Sequence, residues 1–416
     1  MVFMVPKRRF STALRESTRR EIERIGEVDI VVGIPSYFSE TSIGYVMETI
    51  AKGLDKYFRE CRSLIYVSEG CSTDDTREIA NSVDLSDYNV SKIVATYRGL
   101  PGKGTALRAV FEAAEFLRAD AIAVFDSDLK SITPEWIKNM ISPVYKGYDF
   151  VAPYYNRYKF DATITNTIAY NLTRALYGKR IRQPIGGDFA ISPRLVKHFL
   201  DQDVWETDVA KFGIDIWMTT NAMMCGCNMC QARLGAKIHG EKDPAEDLSA
   251  MFREVVGTIY NLMEQYEDFW KGIEHSEEVP IVGKDIGIEP EPFAISQEPL
   301  IEYFRIGYKN FSGVWEDILE EEDYKFIDEL MKIEKKEDIK VPIEWWVRVV
   351  YRYASAFHAT PMQKYKLLNT MVPLYNIRVA SLINELIDKT TEESEEYFEK
   401  QAQVFEDMKG YLIEIW

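Results

Sequence analysis

The sequence predicts an α/β protein, a mostly parallel sheet covered by helices and continued by a mainly helical extension. Three observations carry this expectation. Short apolar runs of strand length alternate with stretches of helical periodicity. Those runs end in polar loops that a parallel sheet would gather at one rim. From about Asp247 the character changes, and helical patterns rich in Glu, Lys, Tyr and Trp take over. The expected organisation is a helical leader over residues 1–27, the sheet domain over 28–246 and the extension over 247–416.

Taken in order, Val28 to Pro35 reads as the first buried strand. Ile43, Val46, Ile50, Leu54 and Phe58 then fall on one helical face, with Thr41 and Ser42 as caps. Leu64 to Val67 is a second strand, ending in the polar run Ser68 to Thr76, where Thr73 offers a cap. Lys92 to Ala95 is a third, followed by Gly102-Lys103-Gly104 and a helix from about Thr105 to Arg118. Glycines let a backbone approach a phosphate, and Lys103 supplies a point charge; a flexible turn with a solvated lysine is the plainer reading. The spacing is not that of a Walker A loop.

The fourth strand, Ala121 to Phe125, runs into Asp126-Ser127-Asp128. Residues i and i+2 of a strand share a face, so both carboxylates are expected to point the same way at its C-terminal end. Two hard oxygen ligands there suit Mg2+ or Mn2+ carrying a diphosphate. Thr133 and Pro134 then cap and open a helix.

Asp149 to Pro153 is a further strand. After it, Arg157, Lys159, Asp161, Thr163 and Thr165 mix cations with hydroxyls; they suit a small hydroxylated anion or, equally, a loop-to-helix junction. Gly186-Gly187-Asp188 forms either an anion nest or a tight turn. Asp215, near a helix start, serves either the helix dipole or chemistry. His239 follows a strand in a polar loop, where it is a credible further metal ligand once the Asp pair is accepted. Cys225, Cys227 and Cys230 could hold a metal, but a closed zinc site wants four ligands and no fourth cysteine follows.

A formal charge of −17 over 416 residues argues against sequence-independent binding to nucleic acid or anionic membranes. No run of 18 apolar residues suggests a membrane span, and no signal-peptide core precedes residue 27. Five cysteines are too few for a disulfide scaffold and favour a cytoplasmic place. The helical extension makes a homo-oligomer plausible.

Gly33-Ile34-Pro35-Ser36-Tyr37, Ser72-Thr73-Asp74-Asp75-Thr76, Gly102-Lys103-Gly104, Asp126-Ser127-Asp128 and Gln183-Pro184-Ile185-Gly186-Gly187-Asp188 occur in that order. Together, over roughly residues 28–245, they resemble the retaining GT-A glycosyltransferases. Within these the chain is similar to glucosylglycerate and glucosyl-3-phosphoglycerate synthases, with mannosylglycerate synthase a close relative. The resemblance implies a Rossmann-like GT-A fold. It places Pro35, Ser36, Tyr37 and Glu40 around the nucleoside and Ser68 near the base. Lys103 would meet the diphosphate, and Asp126 the ribose and donor sugar. Asp128 and His239 would bind Mg2+ or Mn2+. Arg157, Asp161, Thr163, Thr165 and Gly187 would meet the acceptor, with Asp215 near its hydroxyl. Asp215, Asp188 and Lys103 are the expected catalytic set. Asp188 departs from the family by standing where Glu is often found, and Cys71 replaces a more usual small residue.

The reaction so implied moves glucose, with retention, from a nucleoside diphosphate sugar to the 2-hydroxyl of D-glycerate or 3-phosphoglycerate. A mannosyl donor is the nearest alternative. A sugar-nucleotide pyrophosphorylase would want a Gly-rich, Arg-containing loop after the first strand, which Gly33-Ile34-Pro35-Ser36 is not. A haloacid-dehalogenase-type phosphatase carries its Asp-x-Asp on the first strand, not the fourth. A non-catalytic protein retaining the fold is the remaining alternative.

Overall fold

The computed structural model describes residues 10–239, 248–293, 295–360 and 362–416. The chain divides into two compact units. The first holds the described residues up to Asn156, 185–239 and 279–290; the second holds 157–184, 248–278 and the described residues from 291. This differs from the expected boundaries at 28 and 246. Residues 157–184 leave the sheet domain because their helix packs with C-terminal helices, and 279–290 return to it as an edge strand.

The first unit opens with α1 (Glu16–Ile25), β1 (Ile30–Ser36), α2 (Ile43–Phe58), β2 (Ser63–Glu69) and α3 (Thr76–Ser82). It continues through β3 (Val90–Thr96), α4 (Lys103–Phe116), β4 (Ala121–Val124), α5 (Pro134–Val144) and β5 (Phe150–Asn156). The chain then supplies α6 (Tyr170–Tyr177) and β6 (Lys179–Arg180) to the second unit. It returns with β7 (Phe189–Ile191), α7 (Pro193–Leu200), α8 (Ile214–Met224) and β8 (Met229–Ala236).

The remaining elements are α9 (Leu248–Gln265), α10 (Glu267–Lys271), β9 (Glu277–Glu278) and β10 (Ile281–Val282), then α11 (Gln297–Ile318), α12 (Glu321–Met331), α13 (Ile343–Ala359), α14 (Lys364–Leu386), α15 (Thr391–Asp407) and α16 (Lys409–Ile415). Of these only β10 belongs to the first unit.

Eight strands form the sheet of the first unit, in the order β10-β8-β5-β7-β4-β1-β2-β3. All pairings are parallel except those of β7, which runs antiparallel between β4 and β5. β1 and β2 are buried along almost their whole length, which explains their unbroken apolar character. Ile43, Val46, Ile50 and Leu54 bury one face of α2 against this sheet, and Phe58 is partly buried beside it. The chain passes from β1 to β2 and β3 on one side and resumes at β4 on the other. Their shared C-terminal edge is therefore a topological switch point, the usual place for a ligand crevice in such sheets.

Three local expectations change. β4 ends at Val124, so Asp126 and Asp128 lie in the turn beyond the strand and not on a common strand face. α3 starts at Thr76 rather than after Thr73, with Asp75 in the capping position. The cap of α2 is Ser42, whose hydroxyl donates instead to the Ser127 carbonyl at 2.8 Å.

The second unit is almost wholly helical. α13 and α14 supply buried Trp345, Trp346, Tyr351, Tyr353 and Tyr375. The Trp346 indole donates to the Thr167 carbonyl at 2.9 Å. Buried Arg174 is satisfied by Glu399, Glu406 and Gln403 of α15, so its charge is paired where water is excluded. No described helix is long and apolar enough to cross a membrane.

Candidate active site at the rim of the sheet

Five separate segments deliver charged side chains to the C-terminal edge of β4. Asp126 follows β4, and the turn is fixed to β1 by the Phe125 amide donating to the Gly33 carbonyl at 3.0 Å. Lys103 is the first residue of α4, Asp215 the second of α8. Gly187 and Asp188 precede β7, and Lys237 is the first residue beyond β8.

Lys103 Nζ lies 2.9 Å from Asp126 Oδ1 and 3.2 Å from Asp215 Oδ2, and donates to the Gly187 carbonyl at 3.2 Å. Lys237 Nζ lies 2.7 Å from Asp126 Oδ2 and 2.8 Å from Asp188 Oδ2, and donates to the Gly186 carbonyl at 2.9 Å. The Asp126 amide donates to Asp188 Oδ1 at 2.8 Å, and the Tyr155 hydroxyl donates to Asp188 Oδ2. Three carboxylates and two ammonium groups thus form one buried network.

The charges settle each other's protonation. Burial works against the Asp126 carboxylate, yet Lys103 and Lys237 together hold it well below the usual carboxylate range. Burial also works against the Lys103 ammonium, and Asp126 and Asp215 outweigh it, so its pKa stands above the usual lysine value. Asp188 and Asp215 go the other way. Burial raises both, against the pull of Lys237 on the first and of Lys103 on the second, and the neighbouring Asp126 adds to the rise.

Among the described residues, Asp215 Oδ1 is buried with no hydrogen-bond partner. An unsatisfied carboxylate oxygen is costly and is expected where a ligand completes the site. Asp188 differs. It is fully buried, and both its oxygens are spent on Asp126, Lys237 and Tyr155. Through these bonds Asp188, expected in the catalytic set, holds the Asp126 turn from behind.

The glycines around Lys103 also serve another purpose than expected. A Cβ on Gly104 would lie 1.7 Å from the Val209 carbonyl, and one on Gly102 2.5 Å from that of Ala210. They let the start of α4 pack on the backbone of residues 209–211, which fixes Lys103 beside Asp215.

Farther along the rim, Pro35 pairs in register with Ser68, and Ser36 with Glu69. The hydroxyls of Ser36 and Ser68 are both buried without a partner among the described residues. Tyr37 is 60% exposed, with its ring 4.3 Å from that of Phe38. Glu40 accepts from the Asp75 amide at 3.0 Å, tying the first rim loop to the second. Buried Glu69 accepts from the amides of Cys71 (2.9 Å) and Ser72 (2.7 Å), which holds Cys71 at φ 63°.

Asp128 lies two residues beyond Asp126. The Lys130 amide donates to the Ile238 carbonyl at 2.8 Å, and the Ile238 amide to Ser131 Oγ at 2.9 Å. These bonds align the Asp128 and His239 loops side by side. Among the described residues no cluster of three His, Cys, Asp or Glu side chains is set for a metal. One carboxylate and one imidazole beside a diphosphate nonetheless fit Mg2+ or Mn2+, which take much of their shell from phosphate and water. Asp126 is a poorer ligand than the sequence suggested, because each of its oxygens already accepts from a lysine.

Arg157, Asp161, Thr163 and Thr165 belong to the second unit. There Arg157 Nη1 pairs with Asp161 Oδ2 at 2.5 Å, and Thr163 Oγ1 shares a hydrogen bond of 2.6 Å with the Tyr375 hydroxyl. Thr165 is buried at the start of a π-helical turn, Thr165–Ala169.

Residues 76–260 match the sequence model of the mannosylglycerate synthase GT domain. The family resemblance therefore holds there. The sheet just described is that of a GT-A fold. The matched range contains Lys103, Asp126, Asp128, Gly187, Asp188, Asp215, Lys237 and His239, but not Pro35, Ser36, Tyr37, Glu40 or Ser68. Mannosylglycerate synthase of Rhodothermus marinus is 29% identical over 189 residues, which are 43% of this chain and 46% of that protein. The match thus spans less than half the length of that relative. Glucosyl-3-phosphoglycerate synthase of Mycobacterium tuberculosis, solved with Mg2+ and UDP, is 23% identical, with a TM-score of 0.45 over 59% of this chain and 82% of that one. The same enzyme solved with Mn2+, UDP-glucose and phosphoglyceric acid gives 22% and 0.44, over 60% and 85%.

Sequence reasoning missed Lys237, Tyr155 and Glu69. Each sits within or just after a buried strand, and a polar residue at such a strand's end was the only mark it left. The cysteine run resolves without a metal: Cys225 and Cys227 are joined as a disulfide, and Cys230 is buried in β8. One local disulfide is thus present in a chain whose cysteine count argued only against a scaffold of them.

Proposed function

We propose that the chain is a metal-dependent, retaining hexosyltransferase. It moves glucose from a nucleoside diphosphate sugar to the 2-hydroxyl of D-glycerate or 3-phosphoglycerate. The observation that carries this reading is Lys103, held between Asp126 and Asp215 while Asp215 keeps one buried oxygen unpaired.

Each group has a task in that reaction. Asp215 Oδ1 accepts the hydrogen bond of the acceptor hydroxyl and so orients it. Lys103 turns its charge to the diphosphate as the sugar leaves, exchanging one anionic partner for another within the same buried space. Asp126 stays ionised through its lysines and receives sugar or ribose hydroxyls. Ser36 and Ser68 offer their unpaired hydroxyls to the nucleoside, with Tyr37 and Glu40 beside them. Asp188 and Lys237 hold Asp126 in place. The acceptor contacts expected of Arg157, Asp161, Thr163, Thr165 and Gly187 stay part of the proposal, each taken by itself. Asp128 and His239 would hold Mg2+ or Mn2+, which neutralises the leaving diphosphate.

A second reading, with a mannosyl donor, is supported by the family-model match over residues 76–260 and by the name of the Rhodothermus marinus relative. A cytoplasmic place and a homo-oligomeric state belong to the proposal as well. A donor-by-acceptor matrix with Mg2+ or Mn2+, read by product mass and anomeric NMR, separates glucose from mannose and free from phosphorylated glycerate. A protein that merely retains the fold would neither transfer nor hydrolyse any donor.

A further inference from the structure

The turn between α8 and β8 carries a feature that sugar transfer does not use. Cys225, Gly226 and Cys227 close a disulfide across a single residue, with Cα atoms 5.4 Å apart. Gly226 is exposed, both cysteines are partly exposed, and a Cβ at Gly226 would meet nothing within 4 Å. The bond is therefore reachable by a small thiol.

Its two sulfurs stand in different surroundings. Cys227 Sγ lies 3.4 Å from Arg194 Nη2. Asp149 aims that guanidinium, taking Nη2 at 2.6 Å and Nε at 3.2 Å, and is itself fixed by Ser192 Oγ (2.8 Å) and the Asn228 amide (3.1 Å). Cys225 Sγ faces the Ala222 carbonyl at 3.3 Å. A cation beside a sulfur favours the thiolate; a carbonyl oxygen favours the protonated thiol as its donor. Both reduced sulfurs thus have a partner where they already stand.

We propose that Cys225 and Cys227 form a redox-active thiol–disulfide exchange site whose co-reactant is a small-molecule thiol such as glutathione. The incoming thiolate attacks Cys225 Sγ. The S–S bond breaks, its electron pair leaves on Cys227, and Arg194 receives that thiolate. A second thiol attacks the mixed disulfide and releases Cys225, which takes a proton and donates to the Ala222 carbonyl. Two thiols are oxidised to one external disulfide, and the protein gains two electrons. In the reverse direction Cys227 is the attacking sulfur, because the Arg194 guanidinium stands beside it to hold the thiolate.

The test uses the full-length native protein in glutathione buffers of graded ratio, quenched by acid, alkylated and mapped by mass. The expected result is a reversible two-electron transition confined to Cys225 and Cys227. In the reduced protein Cys227 should alkylate roughly threefold or more faster than Cys225. Arg194→Gln should bring the two rates together, and Arg194→Lys should restore part of the difference. A pair that stays bonded in reducing buffer, or stays alkylatable in oxidising buffer, overturns the proposal. So do equal rates in the unsubstituted chain, a measurement that needs no variant to fold. Sugar transfer is not read in any arm, so the outcome is independent of the reading of the rim.

Discussion

Gly187 and Asp126 share a space that admits no second side chain: a Cβ on Gly187 would stand 2.1 Å from Asp126 Oδ2. Gly187 also adopts φ 90°, a conformation that L side chains rarely take. In the structure Gly187 lets the chain close on a carboxylate that lies between two lysines.

Gly187→Ala should therefore displace Asp126 as well as strain the turn. The expected loss of stability is about 2–4 kcal/mol, read by urea denaturation, with transfer activity reduced further than folding alone explains.

Lys237 bridges Asp126 and Asp188. Removing one member of a buried ion network strands the others, so Lys237→Met should cost about 3–5 kcal/mol. Lys237→Met with Asp188→Asn should recover part of that loss, because one uncompensated charge disappears. Chemical denaturation of the two variants measures the difference. Equal stability of the single and double variants would contradict the coupling.

Asp215 exchanges stability for a task. Its folded-state pKa is raised above 3.8 by burial, against the pull of Lys103. A carboxyl with a raised pKa in the folded state costs stability when ionised. That cost is full above the folded-state pKa and is gone below 3.8, where folded and unfolded carboxyls are both protonated. Asp215→Asn should thus be more stable than the parent at pH 7, with the gain shrinking as pH falls toward 4, while transfer is lost. Denaturation midpoints across that pH range check the sign.

Asp128→Ala and His239→Ala should each weaken Mn2+ binding in the presence of a nucleoside diphosphate by roughly tenfold or more. Calorimetry with the metal and the nucleotide measures it. Asp126→Asn should weaken the metal less, since its oxygens serve lysines.

Much of the sheet was legible because β1, β2 and β4 are buried apolar runs and α2 carries a clear apolar face. The antiparallel β7 was not, since three residues are too few to show a period and direction is a matter of tertiary pairing. Asp126 and Asp128 announced themselves by following a strand. Lys237 did not. Lys237 becomes part of the site only because β8 ends beside β5, whose Tyr155 meets Asp188, a pairing of segments about 80 residues apart in sequence. The division at 157–184 was hidden for the same reason: it depends on helices more than 200 residues later, as the Arg174 pairs with Glu399 and Glu406 show.

The most direct measurement is the transfer reaction itself. The purified chain is incubated with Mn2+, UDP-glucose or GDP-mannose, and D-glycerate or 3-phosphoglycerate, alongside Asp215→Asn, and products are read by mass. The account predicts one hexose added to the glycerate compound by the parent chain, and none by the variant although it folds. Undiminished transfer by Asp215→Asn, or neither transfer nor donor hydrolysis by the parent chain with any pair of substrates, would contradict it.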